Sequence, residues 1–207
     1  MACRIDVPKT GRPDKDHENL QKLQCDLLEW AEDLFGERDT SWDLIPQPVF
    51  GRTNPKIFFP GDRSLRLVRI KLSPKACDKW TFALFQIAHE VIHLLNPLPK
   101  DEGKANNLEE GVACAFSYHV QDLNGIVEPD FVSHNHPAYM YAHCLTNNLP
   151  GGAIAGAQRI RQGMPTGSSF SSISKVNLQR IFPGISKEFA DELTRKFDRN
   201  LFKRGAS

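Results

Sequence analysis

Long apolar runs are absent from this sequence. No segment approaches the roughly 20 consecutive apolar residues that a membrane-spanning helix needs. The N-terminal stretch, which contains Lys9, Arg12 and Lys15, also lacks the apolar core of a secretory signal. We therefore expect a cytoplasmic protein that has no membrane partner.

Closely spaced cysteine pairs are absent as well. The five cysteines (Cys3, Cys25, Cys77, Cys114 and Cys144) are odd in number and widely spaced, and none of them belongs to a C-x-x-C pair. This pattern favours free thiols in a reducing compartment over a disulfide framework.

The chain as a whole lacks an excess of charge of one sign, because its formal net charge is +1. Its two parts differ, however. Residues 151–207 carry 10 Lys and Arg against 4 Asp and Glu, whereas residues 1–150 carry 16 against 21. A basic tail is able to meet nucleic acid or an acidic partner. Docking on the acidic body, or a solvated helix face, is the simpler interpretation and is favoured over nucleic acid.

The hydrophobic pattern predicts a mixed α+β chain. Apolar residues recur at helical spacing in six segments, at 18–35, 79–95, 107–123, 155–162, 174–181 and 186–202. Pro137 is a favourable first residue for one more helix. Strand-like patterns occur in three segments, at 48–50, 57–59 and 64–73.

The segment Ala88–His93 contains the spacing H-E-x-x-H inside the predicted helix 79–95. Since residues i and i+4 lie one turn apart on the same face, His89 and His93 are able to present ring nitrogens to one tetrahedral metal ion. Glu90 lies about 100° round the helix, where it can accept a proton from a metal-bound water without binding the metal. A zinc ion lowers the pKa of such a water toward about 7. The motif therefore predicts Zn2+ as cofactor and Glu90 as catalytic base.

The neighbours of the motif support a buried site. Two surface histidines with a salt-bridging glutamate would have polar neighbours. The flanking residues are instead mostly apolar, namely Phe82, Leu84, Phe85, Ile87, Ile92, Leu94 and Leu95.

A catalytic zinc site normally has a third protein ligand. In metzincins a third histidine would fall at position 99, which is Pro99 here, so that class is excluded. The next acidic candidates along the chain are Asp101, Glu102, Glu109 and Glu110. The last two open the next predicted helix, and adjacent helical residues point about 100° apart, so only one of them can reach the metal.

Glu110 is favoured over Glu109 as this ligand. Glu110 shares a helix face with small residues, beginning with Ala113 and Cys114, which would let the two helices approach closely. Glu109 lies on an apolar stripe that begins with Val112 and is typical of a core face.

If the predicted zinc site hydrolyses peptide bonds, it also needs a hydrogen-bond donor that stabilises the oxyanion formed on the peptide carbonyl. This donor is usually a His or Tyr across the cleft from the metal. Histidines and tyrosines cluster within residues 118–143. The candidates are Tyr118, His119, His134, His136 and Tyr139. The pair His134 and His136 could alternatively bind a second metal or replace the glutamate ligand.

The predicted strand 64–73 is either an edge strand that binds extended peptide or a central structural strand.

Four segments carry a resemblance to a known family, in the order Arg69–Ser73, Trp80–Leu84, Ala88–Leu95 and Glu110–Ser117. Together they resemble a strand, an aromatic residue, H-E-x-x-H-L-L and E-x-x-A-N-x-F-A, the pattern of the ImmA/IrrE-like zinc metallopeptidases. The similarity covers roughly residues 50–120 and is that of a distant relative, since Cys114 stands where Asn is usual.

This resemblance implies a compact glutamate-zincin domain with a small sheet packed on the motif helix. It implies His89, His93 and Glu110 as zinc ligands, and Glu90 as the base. We expect this domain over residues 1–150, with 1–15 as a flexible lead-in, followed by a basic helical segment over 151–207.

The same resemblance implies a zinc-dependent endopeptidase of narrow, regulatory specificity that acts on a protein or peptide substrate. One alternative is a zinc-containing binding or sensing module with little turnover, whose basic C-terminal segment engages nucleic acid or a protein. Another is a zinc hydrolase that acts on a non-peptide amide.

Overall fold

The computed structural model describes residues 5–99, 103–126 and 136–202. These ranges combine helices with a small sheet, which agrees with the predicted α+β class. The α-helices are α1 (His17–Phe35), α2 (Trp80–Leu94), α3 (Asn107–Leu123), α4 (Pro137–Asn147), α5 (Gly152–Gln162), α6 (Lys175–Ile181) and α7 (Lys187–Thr194). The strands are β1 (Asp43–Leu44), β2 (Val49–Phe50), β3 (Lys56–Phe58) and β4 (Leu67–Leu72). Single 3-10 turns lie at Pro13–Lys15, Arg63–Leu65, Pro74–Ala76 and Phe170–Ser172.

Helix α1 is bounded by residues that stop a helix at each end. The Asp16 carboxylate accepts a hydrogen bond from the N–H of Asn19 at 3.2 Å and so satisfies a donor of the first turn. Gly36 ends the helix with a φ of 85°, which glycine adopts without strain. The apolar face between them packs against α2 and explains why the predicted helix is found.

Strand β4 is the central strand of the sheet. It pairs in parallel with β1 and β2, and antiparallel with β3, where Ile57 faces Ile70. Alternate residues Val68, Ile70 and Leu72 are buried, as the alternating sequence predicts. The interpretation of segment 64–73 as a central strand is therefore confirmed, and its interpretation as an edge strand is wrong. Each of β1, β2 and β3 pairs with no strand other than β4 in the described ranges, so each lies at an edge of the sheet.

Helix α2 lies between the sheet, α1 and α3. Almost every side chain of α2 is buried, because the helix is apolar on nearly all sides. Pro97 and Pro99 follow it closely and prevent it from continuing. Despite this apolar helix, the described residues contain no helix that is both long and apolar enough to cross a membrane.

Helices α3 and α4 pack closely at Gly111. A Cβ atom built on Gly111 would lie 1.9 Å from Oγ1 of Thr146 and 2.4 Å from the carbonyl oxygen of Ala142. Only glycine therefore lets α4 reach this distance from α3. The contact brings the first turn of α4, which contains Tyr139, over the motif helix.

The C-terminal helices belong to the same core as the rest of the chain. Buried Ile160, Phe170, Phe182 and Leu193 pack in one cluster with residues of α1, α2 and β4. Part of the helix predicted over 186–202 is wrong, since α7 ends at Thr194.

Tertiary pairing explains this early end of α7. The N–H of Asn107, a free donor at the start of α3, donates to the carbonyl oxygen of Arg195 at 2.9 Å. The N–H of Phe197 donates to the carbonyl oxygen of Ala105, also at 2.9 Å. These bonds hold residues 195–197 in an extended path beside the start of α3 instead of a helix.

Candidate metal centre

Three side chains converge where α2 meets the first turn of α3. His89 and His93 lie one turn apart on α2, and their Nε2 atoms are 3.4 Å apart. Oε2 of Glu110 lies 3.2 Å from Nε2 of His89 and 3.7 Å from Nε2 of His93. Asn106 starts α3 by accepting a hydrogen bond from the N–H of Glu109 at 2.9 Å, which fixes the turn that carries Glu110.

The distances between these three donors fit a single metal ion. Tetrahedral bonds of about 2.0–2.2 Å place neighbouring ligand atoms about 3.3–3.6 Å apart, and the observed separations are 3.2, 3.4 and 3.7 Å. Oε2 of Glu110 is buried and accepts no well-oriented hydrogen bond from the described residues. A buried carboxylate oxygen needs a compensating charge. His89, His93 and Glu110 therefore form a group that could hold a metal ion.

The cluster also has strong internal electrostatics. Burial by itself would raise the pKa of Glu110, but His93 and His89 more than offset it and hold this pKa below its ordinary value. Burial likewise disfavours the charged form of His93, yet Glu110 and Glu109 raise the pKa of His93 well above its ordinary value. A proton on His93 consequently competes with a metal ion for the same site.

Glu109 lies behind His93 instead of facing the other donors. Its Oε1 accepts a hydrogen bond from Nδ1 of His93 at 2.7 Å. Its Oε2 accepts hydrogen bonds from the hydroxyl of Ser169 at 2.7 Å, and from the N–H and hydroxyl of Ser171 at 3.1 and 2.5 Å. Because Nδ1 donates its proton to Glu109, the lone pair of Nε2 is left free for a metal.

Ser169 and Ser171 were not found from the sequence. They lie about 60 residues after Glu109, on the turn between α5 and α6, within a run of small polar residues. No spacing within this run links it to α3. The fully buried Phe170 between the two serines anchors the turn in the core, but this burial is visible only in the folded chain.

The other ring nitrogen of His89 faces Cys114. The distance between Nδ1 of His89 and Sγ of Cys114 is 3.9 Å, and the thiol is completely buried one turn after Glu110. Burial raises the pKa of this thiol well above its ordinary value, with a further contribution from Glu110. Cys114 is therefore a neutral neighbour of His89, and a weaker partner than the carboxylate behind His93.

Glu90 lies beside the three donors and borders the cleft described below. It is 3% exposed. Burial raises the pKa of its carboxyl group, while His89 and His93 act in the opposite direction. The main chain of Ile57 in β3 lies close enough to this carboxylate to act, more weakly, to lower the same pKa.

A cleft opens in front of the donors. It consists of two adjoining cavities of about 460 and 530 Å³. Both cavities are lined by Thr53, Asn54, Pro55, His89, Glu90, Tyr139 and Arg199. The donors and Glu90 are thus accessible from one side, next to the segment that leads into β3.

Two of the predicted oxyanion stabilisers border this cleft. Tyr139 lines both cavities, and its ring centroid is 5.8 Å from that of His89. His136 lines the second cavity. The hydroxyl of Tyr139 forms no hydrogen bond with another described residue. Burial, followed by the charge of Glu110, raises the pKa of Tyr139, so the phenol keeps its proton and remains a donor.

None of the other predicted oxyanion stabilisers is found at the cleft in the described residues. Tyr118 packs on the rings of Phe85 and His143, and His119 on the ring of Trp30. Neither lines the cleft, because both lie more than two turns beyond Glu110 along α3. His134 lies outside the described residues, as do the earlier ligand candidates Asp101 and Glu102.

Phe197 and Arg199 complete the wall of the cleft. The ring of Phe197 is 4.7 Å from that of Tyr139, and the Arg199 guanidinium carbon is 5.7 Å from the same ring. Both residues lie in the segment that the sequence predicted as a continuation of α7. They reach the cleft because this segment pairs with the start of α3.

Comparison of the chain with protein-family models, with curated proteins and with solved structures gives no match. The class of site therefore rests on geometry, as a buried His-His-Glu group suited to a metal ion and open to a cleft.

Proposed function

We propose that this protein is a zinc-dependent endopeptidase. The observation that carries the proposal is the convergence of His89, His93 and Glu110 at tetrahedral spacing, with Glu90 beside them at the same cleft. Two histidines and a glutamate are a known ligand set of catalytic zinc, in which a fourth position stays open. The resemblance of four segments to the ImmA/IrrE-like metallopeptidases favours narrow specificity toward a protein substrate.

Glu90 acts as the general base and then as the general acid. A bound zinc ion supplies a Lewis acid and lowers the pKa of water in the cleft. Glu90 accepts the proton of the attacking water and returns it to the leaving amine. The raised pKa of the buried Glu90 supports this role, because a carboxyl group that titrates closer to neutral pH transfers protons in both directions.

Tyr139 stabilises the oxyanion that forms on the substrate carbonyl. Its phenol is protonated, has no hydrogen-bond partner within the described chain and faces the cleft. Such a donor is free to bind the developing negative charge.

The peptide lies along β3. The main chain of this edge strand has one side that pairs with no strand in the described ranges. An extended peptide adds to such an edge through main-chain hydrogen bonds. Lys56 and Ile57 of β3 also line the first cavity, which supports placement of the scissile bond near Glu90.

Metal content and proteolysis test the proposal together. Purified protein should contain one zinc per chain by elemental analysis, and His93→Ala or Glu110→Ala should lose it. Zinc-loaded protein should cleave members of a proteome-derived peptide library, and Glu90→Gln should keep the zinc but abolish this cleavage. A zinc-free native protein, or equal cleavage by Glu90→Gln, would overturn the proposal.

A further inference from the structure

The charged side chains around the cleft are distributed unevenly. The acids that line the two cavities are Glu90, Glu109 and Glu110, all of which belong to the metal centre. Every other charged lining residue in the described ranges is a cation, namely Arg52, Lys56, Lys75, Lys104 and Arg199. The part of the chain that supplies four of these five cations is acidic overall, so their position at the cleft does not reflect composition.

Arg199 has no acidic partner in the described ranges, in contrast to two other cations of the C-terminal segment. Lys175 pairs with Asp191 at 3.0 Å, and Arg195 pairs with Glu192 at 2.6 Å. Arg199 forms no ion pair with any described residue, although it is partly buried. Partial burial of an unpaired guanidinium is unfavourable, and a bound anion would relieve it.

Arg199 lies close enough to the metal donors to contact a peptide whose cleaved bond is held there. Its guanidinium carbon lies 5.7 Å from the Tyr139 ring, whose centroid lies 5.8 Å from that of His89. A single aromatic side chain thus separates Arg199 from the metal donors. Extended peptide advances about 3.3–3.6 Å per residue, so Arg199 is within reach of about three residues on one side of the cleaved bond.

We propose that Arg199 binds a carboxylate of the peptide substrate within about three residues of the cleaved bond, so that the protein selects acidic peptides. Its planar guanidinium suits bidentate binding of a carboxylate. The four exposed cations of the cleft attract the same substrate over a longer range. This inference rests on the proposed peptidase function and names its substrate class.

A peptide fits these observations better than nucleic acid. The cations line a cleft that borders β3, whose outer edge pairs with no strand in the described ranges and offers main-chain groups that match a peptide backbone. The C-terminal cations away from the cleft are in part already occupied, since Nε of Arg161 donates to the carbonyl oxygen of Phe35 at 2.6 Å. These cations therefore do not form a continuous basic face of the kind that binds a phosphate backbone.

Peptide binding tests the inference without requiring turnover. The probe is a short fluorescein-labelled peptide with several glutamates and capped ends, and its match carries glutamines instead. Fluorescence anisotropy with zinc-loaded Glu90→Gln protein should show tighter binding of the acidic peptide. Adding Arg199→Gln should weaken this binding about 10- to 100-fold, since a charge-assisted contact is lost. Adding Arg180→Gln, an exposed α6 cation away from the cleft, is the matched control and should change it less than twofold.

Additional binding measurements distinguish a side-chain carboxylate from a C-terminal carboxylate. A glutamine peptide with a free C-terminus that binds as tightly as the capped acidic peptide would assign the site to a terminal carboxylate. Equal binding of both capped peptides, or equal effects of Arg199→Gln and Arg180→Gln, would overturn the selection of acidic side chains. Tighter binding of a single-stranded oligonucleotide of equal charge would overturn the peptide as occupant. Circular dichroism and zinc content should confirm that each variant folds.

Cleavage distinguishes this inference from the proposed function. If zinc-loaded protein cleaves the peptide library, cut sites should be enriched in Asp and Glu near the bond, and Arg199→Gln should remove that enrichment. If no peptide is cleaved while acidic peptide binding still depends on Arg199, the peptidase function fails and the acidic binding site stands.

Discussion

Nδ1 of His93 donates to the carboxylate of Glu109 at 2.7 Å, so the residue next to Glu110 orients the ring of His93. The same carboxylate accepts hydrogen bonds from Ser169 and Ser171. A chain of hydrogen bonds thus connects the candidate metal centre to the turn between α5 and α6. Consecutive glutamates of α3 have separate tasks, since Glu110 faces the donors and Glu109 supports one of them from behind.

Glu109→Gln should weaken zinc binding about 10- to 100-fold while Glu110 remains in place. The amide keeps the shape of the side chain but loses its charge, and only one of its two ends can accept hydrogen bonds. Zinc affinity is measured by competition with a chromogenic chelator. Glu29→Gln, which removes an exposed carboxylate of α1, serves as control and should leave the affinity unchanged. Equal affinities of the two variants would contradict the positioning role of Glu109.

Stabilisation by zinc should increase with pH. The pKa of His93 in the folded, metal-free chain is raised above the ordinary value of 6.5, mainly by Glu110 and Glu109 acting against burial. This proton stabilises the metal-free fold fully below the unfolded pKa, and the stabilisation is lost as the pH rises through the folded pKa. Zinc must displace the proton, so the zinc-induced rise in Tm should be larger at about pH 8 than at about pH 6.

Differential scanning fluorimetry with and without zinc checks this dependence on pH. His93→Ala should show little zinc-induced rise in Tm at either pH, because one of the three donors is gone. A rise that is larger at the lower pH would contradict the assignment of the raised pKa to His93.

Gly111→Ala should destabilise the fold by about 1–3 kcal/mol or more. The new Cβ would overlap Oγ1 of Thr146 at 1.9 Å and the Ala142 carbonyl oxygen at 2.4 Å, so α4 would have to move away from α3. Urea unfolding followed by circular dichroism gives the free energy of unfolding. In Gly184→Ala the added Cβ meets no atom within 4 Å, so this control should be unchanged or slightly more stable. Similar losses in both variants would contradict the close packing at Gly111.

Helices α2 and α3 could be predicted from the sequence because local signals agree with tertiary structure. The apolar pattern around His89 and the prolines after Leu95 define α2, and Asn106 caps α3 where its pattern starts. The convergence of His89, His93 and Glu110 follows from helical spacing together with one packing assumption, that small side chains turn Glu110 toward α2.

The parts that could not be predicted depend on contacts between distant segments. Ser169 reaches Glu109 across about 60 residues, and nothing in its own neighbourhood indicates a carboxylate partner. The local sequence pattern around Arg199 predicts a helix. Main-chain bonds between residues 105–107 and 195–197 override that preference and place Arg199 at the cleft.

Tyr139→Phe should lower kcat for peptide hydrolysis about 10²- to 10³-fold. In the proposed mechanism the phenol donates to the oxyanion in the transition state, and it donates to no described protein group before that. Zinc content and peptide binding should stay unchanged, since the ring contacts with His89 and Phe197 are kept. Tyr141→Phe is the matched control, because its hydroxyl donates to Glu192 at 2.8 Å and does not line the cleft. Cleavage of a library-derived peptide measures kcat for both variants. A full kcat in Tyr139→Phe would assign the oxyanion to another donor, with His136 the next candidate at the cleft.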